Sequence, residues 1–198
     1  MTEFVVIGHE APRSGDFSLD DLAGGAGRLD VLCRCVTSAL LVSHGVREDA
    51  RIHLVVQDEL TITVDGATVR RLNPDERSTA ALLRGALNER EAAVGEMPVE
   101  ASPGVELRRV GLEHTLERVG RSASIYQLHE EGQPIDTLEP PDRAAFVLAD
   151  HREFGEPEAA TVREHAVDRV RLGPVALHAD QAITVAHHFL DTDGYAAF

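Results

Sequence analysis

The sequence predicts an α/β fold with a mainly parallel sheet flanked by helices. Two observations support this class. Short apolar runs of strand length recur along the chain, and most are separated by longer segments whose apolar residues recur at helical spacing. Strands that alternate with helices form parallel sheets, because each helix carries the chain back across a face of the sheet. In such sheets, ligands bind at the carboxyl ends of the strands.

The first predicted elements are a strand, a loop and a helix. Phe4 to Ile7 is an uninterrupted apolar run that predicts a buried strand. Residues 12–27 are rich in Gly, Asp and Ser, which is typical of a long loop. From Arg28 to His44 the apolar residues recur at helical spacing, and Gly45 is placed to end the helix.

A strand and a hairpin are predicted next. Ile52 to Val56 has the composition of a strand. Leu60 to Val64 and Thr68 to Leu72 flank the pair Asp65-Gly66. Because Asp-Gly suits the positive dihedral angles of a tight turn, we expect a hairpin at this pair.

The rest of the chain alternates between helices and short strands. A helix is predicted over Thr79 to Val94, preceded by Asn73 as its cap, Pro74 at its first position and Glu76 as a third-position acid. Residues 98–104 are expected to form a loop. The predicted elements that follow are Val105–Val110 (strand), Leu112–Val119 (helix), Ser124–Leu128 and Phe146–Leu148 (strands), Pro157–Asp168 (helix), Val170–Leu172 (strand) and Ala179–Leu190 (helix).

Length and composition predict one soluble domain. The 198 residues are 43% hydrophobic, which is enough to bury a substantial core, and we expect a single domain over 1–198. No apolar run reaches the roughly 18 residues of a membrane span, and no basic segment leads into an apolar stretch at the N-terminus. We therefore expect a cytoplasmic protein without a membrane partner.

The charge pattern is unusual, because 34 acidic residues oppose 19 basic ones and every basic residue is arginine. The net charge of -15 would oppose binding to a polyanion in dilute buffer. At molar salt the screening length falls to about 3 Å, and this penalty largely vanishes. A very salty, halophilic cell interior fits both the excess of acidic residues and the absence of lysine. Bidentate arginine contacts to phosphate would still act at short range, so acidity does not exclude an RNA substrate.

Several common site classes lack their motifs. Residues 24–28 (GGAGR) lack the G-x-G-x-x-G spacing of a dinucleotide-binding site and follow a loop rather than a strand. Because the chain has no lysine, it also has no phosphate-binding G-x-x-x-x-G-K sequence. No G-x-S-x-G elbow supports a serine hydrolase. The ten histidines include no H-E-x-x-H, and the adjacent His187 and His188 diverge on a helix, so we expect surface or capping histidines and no metal. Cys33 and Cys35 are expected to be buried or half-buried free thiols.

Two segments concentrate polar groups. In residues 28–34 (RLDVLCR), Asp30 and Arg34 fall one helical turn apart, where they can pair. An ordinary surface ion pair explains them equally well. In residues 70–78 (RRLNPDERS), a helix cap explains the asparagine, the proline and the glutamate, but it leaves Asp75 and the three arginines unexplained.

A third segment, residues 169–174 (RVRLGP), has the pattern of a strand that runs into a tight turn before a helix. Glycine in this turn would let the backbone approach a ligand, and proline would fix its shape. A plain junction between a strand and a helix is an equal alternative.

Eight short strings occur in order over essentially the whole chain: FVVIGHEAP, GRLDVLCRC, LNPDERSTAAL, SPGV, YQLHEEG, FVLADH, RLGPVALHAD and AITVAHHFLD. Any one of them is weak, but together they resemble the archaeal tRNA pseudouridine N1-methyltransferase family of the SPOUT superfamily. The resemblance implies S-adenosylmethionine as cofactor and pseudouridine 54 in the T-loop of tRNA as substrate. It also implies a SPOUT fold with a C-terminal trefoil knot, which is an exception to the near absence of knots, and a homodimer.

The resemblance further implies a set of cofactor contacts near the C-terminus. They are Leu128, Ala149, Leu172, Gly173, Pro174, Val175, Ala176, Leu177 and Ala182. Ala149 stands where many relatives have glycine, and Ala182 where many have cysteine. Because the family contacts at such places are largely through the backbone, cofactor binding should survive both changes, but a cysteine cannot act at position 182.

The reaction requires alignment of the methyl group with N1 and removal of the N1 proton, for which a carboxylate is a suitable base. We expect Asp30 to be the base, with Arg34 orienting it or contacting phosphate. The second choice is Asp75 with Arg77. Three further arginines are candidate RNA contacts: Arg28, Arg70 and Arg71.

Two other functions stay open at this point. The related family that N1-methylates a pseudouridine in small-subunit ribosomal RNA is the nearest competitor, although its chains tend to be more basic. A knotted RNA-binding module without turnover is the second alternative, and the LGP loop favours the enzyme over it. An unrelated α/β hydrolase ranks last, because no nucleophile motif supports it.

Overall fold

The computed structural model describes residues 1–197. Within them the chain forms five α-helices, one short 3₁₀ helix, an eight-stranded sheet and a two-stranded hairpin. The elements are β1 (Thr2–Gly8), α1 (Leu29–Leu40), β2 (Leu41–Val42), β3 (Gly45–Val46), β4 (Ala50–Val56), β5 (Leu60–Asp65), α2 (Glu76–Asn88), β6 (Val99–Ser102), β7 (Val105–Arg108), α3 (Leu112–Gly120), β8 (Ser124–Pro134), the 3₁₀ helix Ile135–Thr137, β9 (Ala144–Ala149), α4 (Glu156–His165), β10 (Asp168–Arg171) and α5 (Ala179–Asp191).

The large sheet has the strand order β10-β8-β9-β1-β4-β5-β7-β6. The strands from β10 to β4 are mutually parallel, while β5, β7 and β6 continue the sheet in antiparallel pairing. The predicted α/β class with a mainly parallel sheet is confirmed. The five parallel strands end on one side, called here the carboxyl end of the sheet, and they begin on the other side, the amino end.

Helices cover both faces of the sheet, and the side chains of β1 show how. Phe4 and Val6 belong to the core under α1, α2 and α5, whereas Val5 and Ile7 belong to the core under α3 and α4. All four side chains are at most 1% exposed. A strand buried on both faces is predominantly apolar, which is why the run Phe4–Ile7 could be recognised as a strand.

The predicted hairpin at Asp65-Gly66 is wrong. The chain turns one step earlier, between β4 and β5, through residues 57–59, where Gln57 and Asp58 have positive φ angles. Residues 68–72 form no strand. Gly66 is required for a different reason: a Cβ atom there would lie 2.0 Å from the carbonyl oxygen of Arg47.

Helix ends also differ from their predicted positions. The first helix ends at Leu40 instead of His44, because residues 41–46 form the small β2–β3 hairpin. The second spans Glu76–Asn88 rather than Thr79–Val94. Its cap is not Asn73 but Asp75, whose side chain accepts a hydrogen bond from the backbone N–H of Ser78 at 2.8 Å.

The predicted burial is correct for the two cysteines but wrong for one histidine. Cys33 and Cys35 are free and buried, as predicted. His187 is also buried, which corrects the expectation of a surface or capping histidine. Its Nε2 lies 2.9 Å from the carbonyl oxygen of Ala39, and its ring packs edge-on against Phe4. A single hydrogen bond between α5 and α1 therefore satisfies a histidine inside an apolar core.

Both edge strands of the large sheet are short and irregular. The pairing of β10 with β8 shifts register between Arg169 and Val170, and the pairing of β6 with β7 shifts between Glu100 and Ser102. The residues of β6 were predicted as a loop, because a four-residue edge strand carries little periodic signal. Among residues 1–197, no helix is long and apolar enough to cross a membrane.

Candidate functional site

A cavity of about 300 Å³ lies at the carboxyl end of the sheet, where β9 and β10 end and α5 begins, beside residues 127–130 within β8. This is the position at which parallel α/β sheets bind ligands. We call it the strand-end cavity. Its lining residues are Gln127, Leu128, His129, Glu130, Leu148, Ala149, Asp150, Arg152, Glu153, Phe154, Ala159, Arg169, Val170, Arg171, Leu172, Gly173, Val175, Ala176, Leu177, Ala179 and Ala182.

The strand-end cavity brings together almost all of the residues expected to contact a cofactor. Eight of those nine residues line it, although they come from four separate parts of the chain. The ninth, Pro174, faces an adjoining cavity of about 550 Å³ that shares the loop 171–176 with the first. The expected set is therefore one contiguous surface.

The loop 172–177 forms one wall of the cavity, and it contains neither helix nor strand. Its backbone N–H and C=O groups are thus free of a regular ladder and can bind a ligand. A Cβ at Gly173 would meet no atom within 4 Å, so this glycine leaves open space. Val175 and Leu177 are 70% and 40% exposed, which is unusual for apolar side chains beside a cavity.

The opposite wall is held by a histidine between two carboxylates, a group we call the His9 clasp. His9 Nδ1 lies 2.7 Å from Asp150 Oδ1, and His9 Nε2 lies 3.1 Å from Glu158 Oε2. The backbone N–H of His9 also donates to Asp150 Oδ2, at 3.0 Å. Glu158 in turn accepts from the backbone N–H of Gly155, at 2.6 Å, and so caps α4. The clasp joins the end of β1, the end of β9 and the start of α4.

Charge stabilises the protonated form of His9. Partial burial lowers the pKa of His9, but the hydrogen bonds and charges of Asp150 and Glu158 outweigh burial and raise the pKa above 6.5. Three further polar residues lie beside the clasp, since His151 approaches both Asp150 and Glu10, and Arg152 pairs with Glu10. Because Asp150 and residues 152–154 line the cavity, the clasp fixes a cavity wall.

Asp30, the first candidate base, is held by two arginines. Its carboxylate accepts from Arg28 Nε at 3.0 Å and from Arg34 Nη1 at 3.0 Å, and its side chain is 8% exposed. Burial raises the pKa of Asp30, but the hydrogen bonds from Arg28 and Arg34 outweigh it and lower the pKa. Arg34 also contacts Glu76 at 3.1 Å and Asp180 at 3.8 Å. The predicted Asp30–Arg34 pair is therefore part of a network that joins α1, α2 and α5.

This network adjoins the strand-end cavity without lining it. Asp180 lies on α5 between Ala179 and Ala182, which both line the cavity. Arg28 occupies the N-cap position of α1 with a φ of 60°. A non-glycine residue in the left-handed region is uncommon, and here the bidentate bond to Asp30 holds it in place.

The side chains of Asp75 and Arg77, the second candidate pair, have different main partners. Asp75 accepts from both the backbone N–H and the hydroxyl of Ser78, and these bonds lower its pKa. Arg77 instead forms an ion pair with Asp20 in the long loop after β1. The Asp75 carboxylate is thus committed to capping α2.

Arg70 and Arg71 do not line the strand-end cavity. They follow Val69, whose backbone N–H donates to the carbonyl oxygen of Asp65 at the amino end of the sheet. Both arginines are exposed. The structure therefore separates these two candidate RNA contacts from the strand-end cavity.

Sequence reasoning missed the His9 clasp. Its members are 141 and 149 residues apart along the chain, so no spacing rule links them. The only available signal was that His9 and Asp150 each come two residues after a predicted apolar strand. In the described part of the chain, no group of three or more His, Cys, Asp or Glu side chains is arranged to hold a metal ion.

Comparison with known families gives a match over nearly the whole chain. A family model described as "Putative SAM-dependent RNA methyltransferase" matches residues 1–195. A Haloferax volcanii protein named tRNA (pseudouridine(54)-N(1))-methyltransferase is 58% identical over 198 residues, which is 100% of both chains. Proteins of the same name from Haloarcula marismortui and Methanococcoides burtonii are 59% and 40% identical and align with 100% and 96% of each chain.

A solved structure shows the same fold at low sequence identity. It is Archaeoglobus fulgidus Nep1 bound to S-adenosylhomocysteine, with a TM-score of 0.59 and 14% identity, covering 96% of this chain and 97% of that one. The sheet order and helix layers described above are therefore those of a known fold. On the match over residues 1–195 and the full-length relatives, the chain belongs to the family of SAM-dependent RNA methyltransferases that includes the archaeal tRNA (pseudouridine(54)-N(1))-methyltransferases.

Proposed function

We propose that this chain transfers a methyl group from S-adenosylmethionine to N1 of the pseudouridine at position 54 of tRNA. The observation that carries the proposal is the strand-end cavity, where eight of the nine expected cofactor contacts converge. The names of the full-length relatives support the substrate. Their high identity to this chain makes the tRNA pseudouridine a better choice than the ribosomal one.

The residues of the strand-end cavity fit the proposed cofactor. S-adenosylmethionine combines an adenosine, which has apolar faces and polar edges, with a charged amino acid tail. Apolar walls are supplied by Leu148, Phe154 and Val170, and the free backbone of the loop 172–177 offers donors and acceptors. The side chains of Glu153 and Arg152 offer charges of both signs. A volume of about 300 Å³ lies at the lower limit for small-molecule sites.

The bound cofactor supplies a methyl group that its sulfonium already activates. The chain itself must hold the pseudouridine ring in place and supply a general base that accepts the N1 proton. Asp30 is our first choice of acceptor, because Arg28 and Arg34 keep its carboxylate ionised and fixed in position. Arg34 would orient Asp30. Asp75 with Arg77 ranks second, because the Asp75 carboxylate already caps α2.

Three structural expectations belong to the same proposal. The whole chain would act as one SPOUT domain. Its C-terminal segment would form a trefoil knot. Two copies would form a homodimer in the cytoplasm, where tRNA is modified, and burial of the exposed Val175 and Leu177 would favour association.

The decisive experiment measures transfer of labelled methyl from S-adenosylmethionine in molar potassium chloride. One tRNA carries pseudouridine at position 54, and a matched tRNA carries uridine there. We expect label only on the pseudouridine tRNA. Cofactor binding without label on either tRNA would overturn the proposed substrate and direct the search to ribosomal RNA, and then to a non-catalytic module.

A further inference from the structure

A second large groove lies at the carboxyl end of the sheet. It has a volume of about 710 Å³ and is lined by Arg13, Ser14, Glu59, Leu60, Arg90 and Arg109. Three of the 19 arginines of a strongly acidic chain therefore converge on one concave surface. We call this surface the arginine groove.

The arginine groove and the strand-end cavity lie at the same end of the sheet. Arg13 follows β1, and Arg109 follows β7, which runs antiparallel to β5 and so ends at the carboxyl end. Leu60 is paired with Val56, the last residue of β4. Three strand spacings separate β9 from β5, a distance of roughly 14 Å. A nucleic acid strand that presents one base to the mouth of the cavity, where the cofactor would bind, can therefore extend into the groove.

The groove arginines are accessible to a ligand. Arg13 pairs with Glu59, while Arg90 and Arg109 approach Glu91 at 3.2 and 3.9 Å. These acids are exposed, at 58% for Glu59 and 75% for Glu91, so the pairs are weak and are screened by salt. A phosphate can replace such a carboxylate on a guanidinium and gain a bidentate bond that persists at short range.

We propose that the arginine groove binds the sugar-phosphate backbone of the RNA substrate, next to the nucleotide whose base is presented to the cofactor at the mouth of the strand-end cavity. This inference rests on the proposed function for its RNA substrate. It moves the main RNA contact away from Arg70 and Arg71, which lie at the amino end of the sheet. Arg13, Arg90 and Arg109 would hold phosphates by contact, with no need for long-range attraction.

The test uses the full chain with Arg13→Gln, Arg90→Gln and Arg109→Gln combined. We expect the tRNA KM to rise about tenfold or more, while kcat and the affinity for S-adenosylhomocysteine stay unchanged, because the groove contacts only RNA. Direct tRNA binding is measured as well, over a range of potassium chloride concentrations. The slope of log affinity against log salt should fall by about two to three, since each lost phosphate contact removes about one unit.

A matched control changes charge equally at three exposed arginines away from the carboxyl end, with Arg121→Gln, Arg143→Gln and Arg163→Gln combined. This control should leave the tRNA KM and the salt slope unchanged. If the groove variant and the control change the tRNA KM and the salt slope equally, the proposed role of the arginine groove is wrong. It is also wrong if tRNA affinity is lost only in an Arg70→Gln/Arg71→Gln variant. If the wild-type chain transfers no methyl group, the proposed function fails, but the binding measurement still decides the groove.

Discussion

The ring Nδ1 of His9 lies 2.7 Å from Oδ1 of Asp150, across the ends of the neighbouring parallel strands β1 and β9. The other ring nitrogen contacts Glu158, so the imidazolium form can donate to two carboxylates at once. Because Asp150 lines the strand-end cavity, the protonation of one histidine stabilises a wall of the proposed cofactor site.

The first prediction concerns the pH dependence of stability. The pKa of His9 in the folded chain is raised above its ordinary value of 6.5, so the contribution of the clasp is fully present below pH 6.5 and is lost as pH rises through the folded pKa. His9→Gln should lower the free energy of unfolding by about 2 kcal/mol at low pH and by less at high pH. Denaturant unfolding in molar salt at several pH values measures this difference. His44→Gln, at an exposed histidine outside the clasp, is the matched control.

The second prediction separates the roles of Asp30. Asp30→Asn removes a carboxylate that is 8% exposed and leaves Arg28 and Arg34 without their shared acceptor charge. We expect a loss of about 1–3 kcal/mol in stability and a fall in kcat of about 100-fold or more. Single-turnover methyl transfer measures the second effect under conditions where the variant is folded. A folded variant with wild-type kcat would assign Asp30 a structural role alone.

The third prediction tests the strand-end cavity by filling it. Ala182 lies on α5, is 8% exposed and lines the cavity, so Ala182→Leu places extra volume where the cofactor should bind. Calorimetry should show that the affinity for S-adenosylhomocysteine falls about tenfold or more, since a bulky side chain must displace the ligand or distort its wall. Thr184→Leu adds a similar side chain on the exposed face of the same helix and should leave affinity unchanged. Equal affinities in the two variants would place the cofactor elsewhere.

The fourth prediction concerns the two thiols. Burial raises the pKa of Cys33 to about 12, and it raises the pKa of Cys35 as well. Because the thiolate is the reactive form, neither cysteine should react with a thiol-specific disulfide reagent in the folded protein at about pH 8. Both should react after unfolding in denaturant. Rapid reaction of either thiol in the native protein would show that the α1 core opens readily.

What could be predicted from the sequence depended on how locally each feature is encoded. The Asp30–Arg34 pair follows from the pitch of a helix, and β1 from a continuous apolar run, so both were found. The turn at Gln57 and Asp58 was missed because Gln-Asp is not one of the glycine-containing pairs that signal a tight hairpin turn. Gly66, in contrast, suggested a turn although it is needed for close packing against Arg47. The residues of the strand-end cavity came from family resemblance, since only the tertiary fold brings their segments together.

The two edge strands bear on how this chain stays dispersed in concentrated salt. Charge repulsion between acidic chains acts over only about 3 Å at molar ionic strength, so it cannot keep exposed strand edges apart. The register shifts at Arg169/Val170 in β10 and at Glu100/Ser102 in β6 interrupt the row of backbone groups that another sheet would need for pairing. In concentrated salt we expect the irregular edges of this sheet to limit aggregation, a role that net charge can fill at low ionic strength.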